Sequence, residues 1–288
     1  MKQLLILSGK GGTGKTTIAS AFIKLADAKA YADCDVDAPN LHLITGWQSD
    51  PKKTNYYGLA KADINTEACI LCGLCRRKCR FDAITLDQVN RVDLFACEGC
   101  GVCEYVCPVN AITMKPVVDG ELMLYMDEDT FFSTAQLKMG SGTSGLLVTE
   151  VKNQLKSSVT DVKLAIIDGS PGIGCPVIAS LSGVDMVLIV AEPSISGMSD
   201  MERIIKTAAR FKTKMAVCVN KFDTNHQHSE EIEAFCEKQG LPFVGKVPFD
   251  AMAVKAINQG QTIIDLDCPS GRAVETIFEE TMALLFTE

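Results

Sequence analysis

Long apolar runs are missing from this 288-residue chain. None approaches the ~20 consecutive residues that a membrane-spanning helix needs. No secretory leader is expected, since Met1–Lys2 passes directly into the short apolar run Leu4–Leu7. Cations are scarce relative to acids: 28 Lys and Arg stand against 36 Asp and Glu, for a net charge of −8. That balance argues against a general nucleic-acid surface. The C-terminal stretch Gly271–Phe286 reads as a helix carrying Glu275, Glu279 and Glu280 but only Arg272 as a cation. It lacks the basic face of a membrane-surface helix. His226 and His228 flank Gln227 in a polar stretch that reads as a solvated loop rather than a metal site. These absences predict a cytoplasmic chain with no membrane span and, at 47% hydrophobic residues, ample material for a sizeable core.

Cysteine is in excess instead, with 13 residues. Eight of them form two runs of C-x-x-C-x-x-C-x-x-x-C: Cys69, Cys72, Cys75 and Cys79, then Cys97, Cys100, Cys103 and Cys107. Their surroundings repeat as well, Gly73–Cys75 matching Gly101–Cys103 and Ala83–Ile84 matching Ala111–Ile112. Such a short duplication makes a small two-fold module, not a solenoid. Zinc sites use four ligands in two pairs, and disulfides need an oxidising compartment; neither fits two runs of four. The stretch resembles the two-cluster bacterial ferredoxins, whose spacing holds two [4Fe–4S] clusters with the fourth cysteine of each run on the other cluster. That resemblance implies one cluster on Cys69, Cys72, Cys75 and Cys107, and a second on Cys97, Cys100, Cys103 and Cys79. It departs from the family at Arg80, where proline is usual; Pro108 keeps it in the other half. The remaining cysteines, Cys34, Cys175, Cys218, Cys236 and Cys268, are scattered and read as small buried residues.

At the front, the strand Leu4–Leu7 leads into Gly9-Lys10-Gly11-Gly12-Thr13-Gly14-Lys15-Thr16-Thr17 and then the helical pattern Ile18–Ala26. Strand, glycine loop and helix form the context of a phosphate-binding P-loop. Backbone N–H groups of Gly11 to Thr17 and the helix N-terminus would face phosphate oxygens. Lys15 is expected at the β and γ phosphates, and Thr16 on Mg²⁺. With Lys10, the loop resembles the deviant Walker A of MinD/ParA-type ATPases and the nitrogenase iron protein. The resemblance implies an ATP-dependent homodimer in which Lys10 reaches the partner's nucleotide.

Further motifs follow that family. Asp33-Cys34-Asp35-Val36-Asp37 resembles its first switch, with Asp35 near the Mg²⁺ shell and Asp37 orienting the attacking water; an acidic helix cap is the other reading of these residues. The strand Lys163–Ile167 ends in Asp168, the Walker B position, and Pro171–Gly172 matches the second switch, placing the Gly172 N–H toward the γ-phosphate. The strand Lys214–Val219 precedes Asn220 and Lys221, where the family contacts adenine, although Asn also favours turns. Pro248 to Asp250 follow the last strand, Leu241–Val247, on the adenine side. Cys175 lies in the second switch, at a distance from Asp168 similar to that of the cluster cysteine of the nitrogenase iron protein. It reads either as a packing residue or as one of two thiolates meeting across a dimer axis.

The alternation of strands and helices predicts an α/β fold, a doubly wound, mostly parallel sheet of the P-loop NTPase type. Residues 1–60 and 116–288 are expected to form the ATPase domain, and residues 61–115 an inserted small α+β ferredoxin domain. Residues 47–59 read as a polar linker. Over essentially the full chain the sequence resembles MinD superfamily ATPases with such an insert. That resemblance implies ATP hydrolysis to ADP and phosphate. It also implies coupling of nucleotide state to electron transfer, or to assembly and delivery of a metal cluster, with a redox or metal-cofactor protein as partner. The alternatives are a positioning or partition ATPase with structural or redox-sensing clusters, and an iron–sulfur scaffold.

Overall fold

The computed structural model describes residues 1–47, 49–86 and 90–287. Strand β1 (Lys2–Leu7) is apolar on both sides because both its faces are covered. Leu4 and Ile6 enter one core, Leu5 and Leu7 the other. The glycine loop leads to α1 (Lys15–Leu25), and β2 (Ala30–Asp33) follows. After β3 (Lys52–Tyr57), the cysteine-rich segment begins with β4 (Lys61–Ile64). It continues through α2 (Leu74–Lys78), β5 (Ile84–Leu86), β6 (Asn90–Val92), α3 (Val102–Tyr105) and β7 (Ile112–Lys115). The chain returns through β8 (Val118–Asp127), β9 (Thr130–Leu137) and α4 (Ser144–Ser158). Alternation resumes with β10 (Leu164–Asp168), α5 (Cys175–Leu181), β11 (Met186–Ala191) and α6 (Ile195–Ala208). It ends with β12 (Lys214–Asn220), α7 (His226–Gln239), β13 (Phe243–Val247), α8 (Ala251–Asn258) and α9 (Pro269–Phe286).

Among the described residues the main sheet has the order β13-β12-β11-β1-β10-β2-β9-β8-β3. Pairing is parallel from β13 to β9 and antiparallel for β9–β8 and β8–β3. Helices α4, α5, α6 and α7 pack one face; α1, α8 and α9 pack the other. The parallel strands therefore end at one rim, where ligands bind in doubly wound sheets. Two small antiparallel pairs, β4–β7 and β5–β6, complete the cysteine-rich segment, which has its own apolar centre around Ala62, Ala83, Ile84 and Ile112. No described helix is long and apolar enough to cross a membrane.

Two local expectations change. Residues 47–59 are not simply a linker: residues 52–57 form β3 at the sheet edge, and Gln48 lies outside the described residues. The strand is polar because only Tyr56 turns inward, and it exists because β8 offers an open edge to pair with. In β9 the buried Ser133 is satisfied by the Val151 carbonyl at 2.9 Å and Gln154 Oε1 at 2.7 Å. His226 and His228 are not in a loop. Asn225 caps α7 by accepting from the His228 N–H at 3.1 Å, so the helix starts at His226, and His228 Nδ1 meets Glu231 at 2.8 Å.

Candidate functional site

The glycine loop is shaped by what it touches. Gly14 sits at φ 88°, and a Cβ there would lie 2.1 Å from Asn220 Nδ2, so only glycine fits. Asn220 Nδ2 donates to the Thr13 carbonyl at 2.6 Å, and its Oδ1 accepts from the Lys221 N–H at 3.0 Å. The end of β12 thus braces the loop that follows β1. Above the rim lies a cavity of about 450 Å³, lined by the loop from Lys10 to Thr17, by Asn220 and Lys221, and by Pro248 to Asp250.

Below that cavity is a buried charge cluster. Register places Asp168 beside both Ile6 and Asp33, and Lys15 Nζ pairs with Asp168 Oδ1. Burial alone would lower the Lys15 pKa, but Asp168, Asp33 and Asp35 outweigh it and hold it above its usual value. Asp33, unremarked by the sequence reading beyond its place in the switch, is pushed up to about 7, first by burial and then by Asp168, with Lys15 opposing. Its oxygens accept backbone N–H groups of Asp35 at 2.9 Å, Asn40 at 2.9 Å and Leu41 at 3.0 Å, which fixes the loop after β2. Burial likewise raises Asp35, which lines the cavity.

Asp168 Oδ2 and Thr13 Oγ1 are buried without a hydrogen-bond partner. Orphaned oxygens beside a buried lysine at a helix N-terminus suit a magnesium-bound phosphate and its water shell. Thr16 stands on the first turn of α1, lining the same cavity. Asp37, by contrast, is exposed and is not among the residues lining the cavity. The Gly172 N–H, expected toward the γ-phosphate, donates instead to the Ser8 carbonyl at 3.1 Å, and Ser170 Oγ donates to the Cys34 carbonyl, so the loop after β10 is tied to the glycine loop and to the loop after β2.

Lys10 turns back onto its own chain, 2.7 Å from Glu192 Oε2. Lys221 Nζ reaches Glu192 Oε1 at 3.4 Å and the Gly12 carbonyl at 2.8 Å. Burial would raise Glu192, yet Lys10 and Lys221 hold it below the usual carboxylate range. In sequence Glu192 reads only as the end of a strand before proline; nothing local signals two lysine partners from distant loops. Cys34, Cys218, Cys236 and Cys268 are buried as expected, but Cys175 is exposed, at the first position of α5. It is not a buried packing residue.

The eight repeated cysteines separate into two pockets. Cys69, Cys72, Cys75 and Cys107 line one; Cys79, Cys97, Cys100 and Cys103 line the other. Helix α2 runs between them, with Cys75 on one pocket and Cys79 just past its end on the other. Asn90 Nδ2 donates to Cys69 Sγ at 3.4 Å, and the Ala111 N–H donates to Cys107 Sγ at 3.2 Å. Among the described residues no three His, Cys, Asp or Glu side chains gather around a point suited to one metal ion. A single tetrahedral ion with ~2.3 Å metal–sulfur bonds draws its thiolates to within about 4 Å of each other. A cubane carries one thiolate on each of four irons and spreads them wider, and the four cysteines lining each pocket match that donor set in number and kind.

Residues 4–263 match the family described as the CobQ/CobB/MinD/ParA nucleotide binding domain. A Methanocaldococcus jannaschii protein, itself described as uncharacterized, is 32% identical over 284 residues, covering 96% of this chain and 95% of its own. A Pyrococcus furiosus protein named as an iron-sulfur cluster carrier is 24% identical, covering 96% of this chain and 84% of its own. Among solved structures, the septum site-determining protein MinD of Pyrococcus horikoshii, complexed with Mg-ADP, aligns with a TM-score of 0.60 at 18% identity. That alignment covers 99% of this chain and 97% of that one and speaks to the fold alone.

Proposed function

The chain belongs to the CobQ/CobB/MinD/ParA nucleotide-binding family, and from that premise we propose that it is an ATP-hydrolysing homodimer whose nucleotide state controls two [4Fe–4S] clusters carried on residues 61–115. The observation that carries this reading is the sorting of eight cysteines into two pockets of four, each borrowing its fourth thiol from the other run. The iron-sulfur carrier relative supports a role in metal-cluster delivery or electron transfer.

In this reading Lys15 leaves Asp168 to neutralise the β and γ phosphates, and Thr16, Asp35 and Asp168 hold Mg²⁺ and its waters. Asn220, Lys221 and Pro248 flank the base. Lys10 exchanges Glu192 for the phosphates of the partner protomer. Asp37, exposed beside the cavity loop, orients water once the switch closes over ATP. The clusters, when bound, supply one-electron storage or transferable iron and sulfide. The test is anaerobic reconstitution followed by chelator challenge and redox titration with ATP or ADP. About eight irons per chain, with a potential or chelator lability that differs between the two nucleotides, supports the switch. Zinc without iron-dependent visible absorbance removes the cluster reading, and identical behaviour in ATP and ADP removes the coupling.

A further inference from the structure

The two halves of the cysteine repeat fold alike but do not look alike from outside. Helices α2 and α3 each start after a left-handed glycine, Gly73 at φ 65° and Gly101 at φ 74°. Before the fourth cysteine the first half carries Arg76-Arg77-Lys78, where the second carries Glu104-Tyr105-Val106; after it, Arg80 stands opposite Pro108. The second half therefore serves as an internal control. Neither the backbone nor the placing of four cysteines requires those cations.

All four are exposed, and among the described residues none pairs with a carboxylate. Arg77 Nη1 lies 3.1 Å from the Cys72 carbonyl, which lays its guanidinium over the loop around one cysteine pocket. On that loop Leu71 is 48% exposed and held at φ 57°. Its counterpart in the repeat is Gly99, at φ 67°, so a strained leucine replaces the residue that fits without strain. An outlier of this kind points to function. In a chain of net charge −8, an unpaired basic patch with an apolar residue at its side, over an exposed cysteine, is a local reversal of sign.

We propose that the face bearing Leu71, Arg76, Arg77, Lys78 and Arg80 docks a small acidic electron-carrier protein, its carboxylates meeting the cations and an apolar patch at its redox centre meeting Leu71. The inference rests on the cluster reading above. One electron leaves the carrier's centre, which is oxidised by one, and enters the cluster held at Cys69, Cys72, Cys75 and Cys107, which is reduced by one; no bond is made or broken. Long-range steering by opposite charges makes such association fast and salt-sensitive.

The test uses the reconstituted full chain and an acidic plant-type [2Fe–2S] ferredoxin as probe, with binding read by anisotropy and cluster reduction by stopped flow. Binding by the wild type should weaken about tenfold or more between about 20 and about 300 mM salt. The Arg76→Glu/Lys78→Glu variant should bind and be reduced at least about tenfold more slowly at low salt, while Lys212→Glu/Lys238→Glu, with the same charge change on the exposed ATPase surface, should not. If the first variant loses iron, Arg76→Gln/Lys78→Gln at full iron content decides in its place. Equal rates in both charge variants, or salt-independent binding, overturn the proposal. So does a patch that binds single-stranded DNA or RNA in preference to the ferredoxin. Absence of iron in the wild type would instead condemn the cluster reading, a separate failure visible before any partner is added.

Discussion

Replacing Lys15 by alanine should do two separable things. It should abolish ATP binding, because the cation facing the β and γ phosphates is gone. It should also destabilise the protein without nucleotide, because Asp168 and Asp33 are then left buried without their counter-charge. Removing one partner of a buried pair costs about 3–5 kcal/mol. The cost has a pH signature. Between its ordinary range and about 7, Asp33 holds a proton in the folded protein that the unfolded chain has released. Stability therefore erodes as pH rises through that window, in the variant and the wild type alike. Lys15 opposes the upward shift of Asp33; without it the folded carboxyl keeps its proton to higher pH, and the erosion continues. The stability gap should widen from about pH 6 to about pH 8.5 and reach about 3–5 kcal/mol at the upper end. Urea unfolding followed by helical circular dichroism, without nucleotide, measures it. Asp168→Asn added to Lys15→Ala should recover part of the stability and none of the nucleotide binding. A gap below about 1 kcal/mol that is the same at every pH would refute the buried charge cluster.

Other outcomes follow from single contacts. Asp37→Ala should leave ATP binding intact, slow hydrolysis at least about tenfold and accumulate an ATP-bound dimer on gel filtration; normal turnover would reduce Asp37 to a loop residue. Gly14→Ala meets both a left-handed backbone and Asn220 Nδ2, and should cost more than about 1 kcal/mol in thermal unfolding while weakening nucleotide binding. Lys152 Nζ donates to the carbonyls of Ala179 at 3.2 Å and Ser180 at 2.7 Å, and to that of Ser182, at the end of α5. Lys152→Met should cost about 1–3 kcal/mol, and unchanged stability would show that those carbonyls find other donors.

What could be read from the sequence was the chemistry that is local. The strand, glycine loop and helix around Lys15 announce themselves within twenty residues, and the strand ending in Asp168 does so within six. The doubled cysteine spacing announces its two sets in the same way. What depends on distant partners was not legible. Lys52 to Tyr57 has no strand pattern of its own and is extended only because β8 lies alongside. Asp33 reads as one of several acids in a switch, and only the register of β2 on β10 reveals that it shares a buried site with Lys15. The same holds for Glu192, whose lysines arrive from the loops after β1 and β12. Helix α8 was hidden because Asp250, taken with the proline before it as part of the base-binding edge, is also its cap, accepting the Met252 N–H at 2.9 Å.

The pairing of β3 with β8 has a consequence for how the chain assembles. Tyr57 meets Val118, and Lys61 meets Lys115, so everything between them is the loop of one long hairpin. Closing a floppy loop of about 60 residues costs roughly 3–4 kcal/mol in chain entropy, whereas a loop already folded on itself presents its ends together and costs far less. Folding of the cysteine-rich segment thus lowers the cost of sealing the edge of the main sheet. Where that fold is completed by a bound metal, metal supply biases β8 toward its paired state. An open edge strand is a template for aggregation. Chains that have not yet folded this segment would then expose β8 before they ever bind nucleotide.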